Sequence, residues 1–224
     1  MLRPDVWLGE RLGKPAFQVG RDIAADALPS APAFVGAKLD VADTDGLLRL
    51  QTLGFQVIDT NVQLRRAATD APAETGPARF TVDSDEAGIR KIAGESFVYD
   101  RFHRDPKIDS GVAARIKADW AGNFFAGKRG EWMVTSGAPG KPEGFLQLMK
   151  GENGTIVIDL IAVSAAHRGK GLAQAMIGFA AQACLGHAAP LNVGTQIANL
   201  PSLSLYERLG FRIISAGYVL HLHR

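Results

Sequence analysis

Val163-Ser-Ala-Ala-His-Arg168-Gly169-Lys170-Gly171-Leu172-Ala173 is the stretch that decides the fold. Before it runs Ile156-Val-Ile-Asp-Leu-Ile-Ala-Val163, apolar and rich in β-branched residues, which predicts a strand buried on both faces. After it, Leu172–Leu185 is Ala-rich and broken only by Gly178, which predicts a helix ending near Gly186. Arg168-Gly-Lys-Gly171 therefore occupies a strand-to-helix turn. First-turn N–H groups have no helical partner, and the helix dipole presents partial positive charge there. Two glycines let a ligand approach the backbone, and Arg168 and Lys170 add full charges. That combination is a pyrophosphate cradle. It is not a P-loop, since Leu172 follows Gly171 where Lys-Ser/Thr is needed. Nor is it a dinucleotide fingerprint, since position 174 is Gln. The competing account is a helix entry with incidental basic residues.

What remains is Arg-x-x-Gly-x-Gly/Ala, met by His167–Ala173 with Gly171 as the middle glycine. It resembles the acyl-CoA-binding turn of the GCN5-related N-acetyltransferase superfamily. Asn199-Leu-Pro-Ser202-Leu-Ser-Leu-Tyr206-Glu-Arg-Leu-Gly210-Phe211 resembles the second hallmark of the same superfamily. Asn199 and Ser202 suit the cap of a short helix that stops at Gly210, and Phe211-Arg-Ile-Ile214 restarts a strand. The resemblance implies an α/β (α+β) fold whose mixed central sheet has splayed strands, Ile156–Val163 and Leu191–Gln196. The pantetheine arm of acetyl-CoA would pair with strand backbone in the gap. Matched onto this chain, the cofactor residues are Ile161, Ala162, Val163, Arg168, Gly169, Lys170, Gly171, Leu172, Ala173, Asn199 and Ser202.

The chain has 224 residues, 46% hydrophobic and 21% charged, as in an ordinary globular protein. A net charge of +2 makes no electrostatic case for nucleic acid or an anionic membrane as partner. No apolar run approaches the roughly 20 residues of a membrane span, and no signal-peptide pattern opens the sequence. The single cysteine, Cys184, excludes an intramolecular disulfide. A cytoplasmic location is the expectation. Assembly is open between monomer and homodimer.

One such domain typically needs about 150 residues, so a second unit is expected. A boundary suggests itself at Ala67–Ala78, polar and Pro/Gly-bearing, dividing residues 1–70 from an acyl-CoA-binding domain at 79–224. Upstream, Leu47-Leu-Arg-Leu50-Gln-Thr-Leu53-Gly54-Phe55-Gln-Val-Ile58 aligns with Leu203-Ser-Leu-Tyr206-Glu-Arg-Leu209-Gly210-Phe211-Arg-Ile-Ile214. The first unit thus looks like a partial, degenerate copy that extends the sheet and shapes the substrate cleft. It lacks the Arg-Gly-x-Gly turn and has Leu50 opposite Tyr206. The alternative is that a glycine stop before a buried strand is simply common.

Acyl transfer to an amine needs a base for the ammonium proton, a donor for the oxyanion and an acid for the leaving thiolate. The resemblance puts Tyr206 at the general acid position, with packing as its other role. Asp159 interrupts an apolar strand and is the base candidate, the competing account being a structural carboxylate tied to an Arg or to helix N–H groups. A backbone N–H near Ile161–Val163 would serve the oxyanion. The acceptor side is expected in Ala93–Pro106, a loop with Phe97, Arg101, Phe102, His103 and Arg104, followed by a helix from about Asp109 to Ala126. Ile116, Trp120 and Phe124 recur there at core spacing.

The Ser-Phe-x-x-x-Arg-Phe loop, the Trp-bearing helix and the Gly194-Thr-Gln-x-x-Asn199 run are similar to the dTDP-fucosamine acetyltransferases. These N-acetylate the 4-amino group of a nucleotide-linked dideoxyhexose for surface polysaccharide synthesis. The similarity implicates Phe97, Arg101, Phe102 and Gln196 in acceptor binding, with no metal. His221-x-His223 could form a metal pair, but no third ligand is evident. Alternatives are an acetyltransferase for a protein N-terminus, lysine or polyamine, and a non-catalytic acyl-CoA-binding regulatory module.

Overall fold

The computed structural model describes residues 1–67, 76–184 and 189–224. The residues 68–75 of the expected boundary, and the expected helix stop at Gly186, lie outside the described residues. Among the described residues ten strands form one mixed sheet in the order β1-β2-β3-β10-β4-β9-β8-β7-β6-β5. They are β1 (Arg3–Pro4), β2 (Ala16–Val19), β3 (Phe34–Asp40), β4 (Gln56–Arg66), β5 (Arg79–Phe80), β6 (Trp132–Ala138), β7 (Lys141–Lys150), β8 (Ile156–Val163), β9 (Leu191–Gln196) and β10 (Arg212–His223). The described α-helices that accompany the sheet are α1 (Val6–Leu12), α2 (Thr44–Thr52), α3 (Glu86–Ser96), α4 (Ser110–Gly122), α5 (Leu172–Ala183) and α6 (Leu200–Arg208).

The two sequence units share this sheet. β10 inserts between β3 and β4, and β4 lies between β10 and β9. The strand that restarts after Phe211 is one 12-residue strand, Arg212–His223, because pairing with β4 continues past the bulge at Ile214. The second helix of the acceptor region ends at Gly122 rather than Ala126. From Asn123 the chain closes a turn in which Lys128 and Arg129 N–H both donate to Asn123 C=O, with Gly127 at φ 64°. Asn199 alone caps α6, and Ser202 is inside the first turn, donating its N–H to Asn199.

β8 explains how the apolar run serves two cores. Gln147 of β7 pairs with Leu160 and Leu148 with Ile158, so Asp159 is an extra residue in a β-bulge. The bulge shifts the side-chain phase. Ile156, Ile158, Ile161 and Val163 pack in one cluster with Met176, Ile177, Leu203 and Tyr206, whereas Leu160 and Ala162 pack with Ile89, Ile92 and Ala93 of α3. A third cluster surrounds Leu50 of α2 with Val35, Leu39, Leu220 and Leu222.

Candidate active site

Four helices open with an Asx cap. Asp5, Asp43, Asp109 and Asn199 accept from the N–H groups of Leu8, Gly46, Val112 and Ser202. α5 opens instead on Gly171, at φ 77° and ψ 2°, with no side-chain cap; Gly169 also has φ 77°. Both glycines adopt left-handed backbone that side chains rarely tolerate. The first-turn donors of this 12-residue helix thus stay available to an anion.

A cleft of about 610 Å³ opens at this turn. Ile161, Ala162, Val163, Arg168, Gly169, Gly171, Leu172 and Ala173 line one side, and Asn199, Ser202 and Tyr206 the other. Lys170 is exposed and does not line the cleft. Gln174 and His167 do line it, with no sequence signal that singled them out. The cleft exists because β8 and β9 pair only at Ile156–Ile158 with Leu191–Val193. From the bulge onward β8 keeps its β7 partner but has none on the β9 side. That free strand edge, ending at a helix N-terminus, fits an extended amide-bearing arm with a pyrophosphate at its end.

Tyr206 is 2% exposed, packs on Phe211 at 5.3 Å and still lines the cleft, so packing and site roles coincide. Burial pushes its phenol well above the ordinary tyrosine range, which keeps the proton in place at neutral pH. Asp159 is held by four bonds: Arg129 Nε and Nη2 at 2.7 Å each, Trp120 Nε1 at 3.0 Å and Gln147 Nε2 at 3.1 Å. This is the geometry of a structural carboxylate. It also gives Trp120 a polar task beyond core packing, with the Arg129 guanidinium 4.7 Å from its ring.

Behind Tyr206 lies a second cavity of about 370 Å³, which shares Phe97, Gln196, Asn199, Ser202 and Tyr206 with the cleft. Arg101 and Phe102 line it too, so all four expected acceptor residues meet here. Phe102 is 1% exposed and belongs as much to the core. Lys38, Asp59, Asn61 and Gln63 reach the cavity from β3 and β4, residues that the sequence reading passed over. Lys38 keeps an exposed surface and Arg101 is half-buried; partial desolvation first, then the Arg101 charge, lowers the Lys38 pKa, and desolvation lowers that of Arg101.

A match to the Acetyltransferase (GNAT) family covers residues 89–211, more than half of the chain. The chain belongs to the GNAT acetyltransferase family. The matched domain is that of an acetyl-CoA-dependent N-acetyltransferase. Over 188 residues the chain is 27% identical to dTDP-fucosamine acetyltransferase of Escherichia coli O6:H1, covering 84% of this chain and 80% of that protein. Over 150 residues it is 28% identical to the spore coat polysaccharide biosynthesis protein SpsD of Bacillus subtilis, covering 66% of this chain but only 50% of SpsD. A GCN5-related N-acetyltransferase from Kribbella flavida shares the fold, with a TM-score of 0.59 at 15% identity over 97% of this chain and 82% of that one. No helix among the described residues is long and apolar enough to cross a membrane.

Beyond the GNAT-matched residues, His221 and His223 acquire a third partner. Asp105 Oδ2 accepts from His221 Nδ1 and His223 Nε2, both at 2.7 Å. Lys14 Nζ lies 3.3 Å from His223 Nδ1 and donates to it, which leaves Nε2–H facing the carboxylate. The trio is of a type that can hold a metal ion. Its hydrogen-bond spacing makes it a clasp that ties the loop carrying Arg101 and Phe102 to β10. Asp100 secures the other end, accepting from Phe102 N–H at 2.9 Å and bonding His103.

Proposed function

We propose that this enzyme transfers the acetyl group of acetyl-CoA to the amino group of a nucleotide-linked amino-dideoxy sugar, the 4-amino group by analogy with its relatives, by direct attack in a ternary complex in the cytoplasm. One observation carries the acceptor class. Lys38, which is exposed, and Arg101, which is half-buried, are two cations that line the cavity behind Tyr206 and repel one another. Like charges facing one cavity repel until an anion joins them, and a diphosphate is such an anion. Phe97 on the same wall offers a face for sugar or base. Polyamines and lysine-rich peptides would meet repulsion from Lys38, Arg101 and Lys117.

In this reading the amine enters between the two cavities and attacks the thioester at the β8–β9 gap. A backbone N–H of the free β8 edge near Ile161–Val163 receives the oxyanion, and Tyr206 gives its proton to the departing CoA sulfur. Asp159 acts as a positioning group: its ion pair with Arg129 and its bond to Trp120 hold the cavity wall.

A thiol-release assay with acetyl-CoA against dTDP-linked 4-amino sugars, lysine peptides and polyamines tests the proposal. Turnover of an amino-sugar nucleotide is expected, with Lys38→Met raising its KM about tenfold and leaving the acetyl-CoA KM unchanged. Turnover confined to peptides or polyamines would overturn the acceptor class. Tight acetyl-CoA binding with no turnover of any amine would favour a regulatory module.

A further inference from the structure

The cavity behind Tyr206 holds three carboxylates, and two are already spoken for. Asp159 has its four donors. Asp100 has Phe102 N–H, His103 and, at 3.9 Å, Lys117. The third, Asp59 of β4, is 5% exposed, and its Oδ2 has no hydrogen-bond partner among the described residues. Leaving a buried carboxylate oxygen unbonded is costly, and such groups are kept where a ligand completes them. Asp59, Asn61 and Gln63 alternate along β4 and all line the cavity. Beside Asp59 the pairing with β10 skips Ile58, since Val219 faces Asp59 and Leu220 faces Val57. A bulge at that point sets which face a side chain takes.

We propose that Asp59 is the catalytic base that takes the proton from the acceptor's ammonium group. The inference rests on the acetyl-transfer reading above and adds a residue from outside the GNAT-matched region. The ammonium gives one proton to the Asp59 carboxylate, and the freed amine forms the C–N bond to the thioester carbon. Collapse breaks the C–S bond, and the thiolate takes the Tyr206 proton. The second amine proton restores the phenol, and Asp59 releases its own to solvent, so acetyl-CoA and the ammonium become amide, CoA thiol and one proton.

Burial raises the Asp59 pKa; a bond from Thr60 N–H and the Arg104 charge oppose this, and the Asp100 charge adds to it, leaving about 6. Lys38, Arg101, Lys117, Arg129, Asp100, Asp159 and Tyr206 are the other ionisable groups around the cavity. A base of this pKa is ionised at neutral pH yet basic enough to work.

The test is the pH profile of kcat/KM for unaltered enzyme, Asp59→Asn and Asp59→Glu, with acetyl-CoA affinity measured by calorimetry. The unaltered enzyme should show a limb near pH 6, with activity lost below it. Asp59→Asn should lose that limb, fall at least 100-fold at pH 7 and recover as alkali deprotonates the amine, with acetyl-CoA affinity unchanged. Asp59→Glu should keep a limb at a shifted pH, which covers the case in which the amide variant folds poorly. An active Asp59→Asn with the original limb, or a uniform loss at all pH values in both variants, would overturn the assignment. No turnover by the unaltered enzyme with any amine would instead sink the acetyl-transfer reading, and this one with it.

Discussion

β3–α2–β4 and β9–α6–β10 are built alike and do different things. Each helix is opened by an Asx cap, Asp43 or Asn199. Each closes on a left-handed glycine, Gly54 at φ 93° or Gly210 at φ 83°. A buried phenylalanine follows, Phe55 or Phe211, whose N–H donates back to Leu50 C=O at 3.0 Å or Tyr206 C=O at 2.9 Å. The units even exchange strands: β10 is paired between β3 and β4, and β4 between β10 and β9. The difference is on their outer edges. β3 has a parallel partner, β2, along all four β2 residues, and the crossover between them contains only a short 3₁₀ turn at Ala25–Ala27. β9 has a parallel partner, β8, for only three pairs, and that crossover contains α5. One edge is closed and its helix position is filled by Leu50. The other splays and its helix presents Tyr206 to the gap. Missing strand pairing and an uncapped crossover helix are what the second unit has and the first lacks; the helix–Gly–Phe motif is common to both.

The sharpest way to break this comparison is Tyr206→Leu, which copies the leading unit into the second. Turnover should fall by about 100-fold or more, as for loss of a general acid, with acetyl-CoA affinity retained. Unchanged turnover would place the acid elsewhere. The reciprocal site should answer differently. Leu50→Ala removes a fully buried side chain and should cost about 2–5 kcal/mol in urea unfolding, while kcat per folded molecule stays the same. A large kcat effect there would mean that the leading unit does more than support. The smallest effect is at the caps. Asp43→Ala and Asn199→Ala should each cost about 1 kcal/mol, but only Asn199→Ala should also raise the acetyl-CoA KM, because only that cap lines the cleft.

Much of the site was legible because it is local. Gly169 and Gly171, the strand ending at Val163 and the Asn199–Gly210 helix are short-range patterns set by backbone sterics and capping. Asp159 was legible as an anomaly, an acid in an apolar strand, but the Arg129 guanidinium that binds it lies 30 positions away. Asp59 carries the same kind of signal in Val57-Ile58-Asp59, but its strand lies in the unit without a phosphate motif, and the proposal for it rests on the cavity it lines. His221 and His223 lacked a visible third partner because Asp105 is more than a hundred positions distant.

The sequence by itself determined the GNAT signature, the pyrophosphate turn and the repeated helix–Gly–Phe unit, since each rests on contacts within a dozen residues. Only the tertiary structure decided that β10 threads the leading unit, that β8 and β9 part at a bulge, and that Lys38 and Asp59 face Arg101 and Tyr206. Those outcomes depend on which strand edges find partners across the whole sheet. Pairing of that kind is settled by the competition of all ten strands for hydrogen bonds and buried area, which no local pattern encodes.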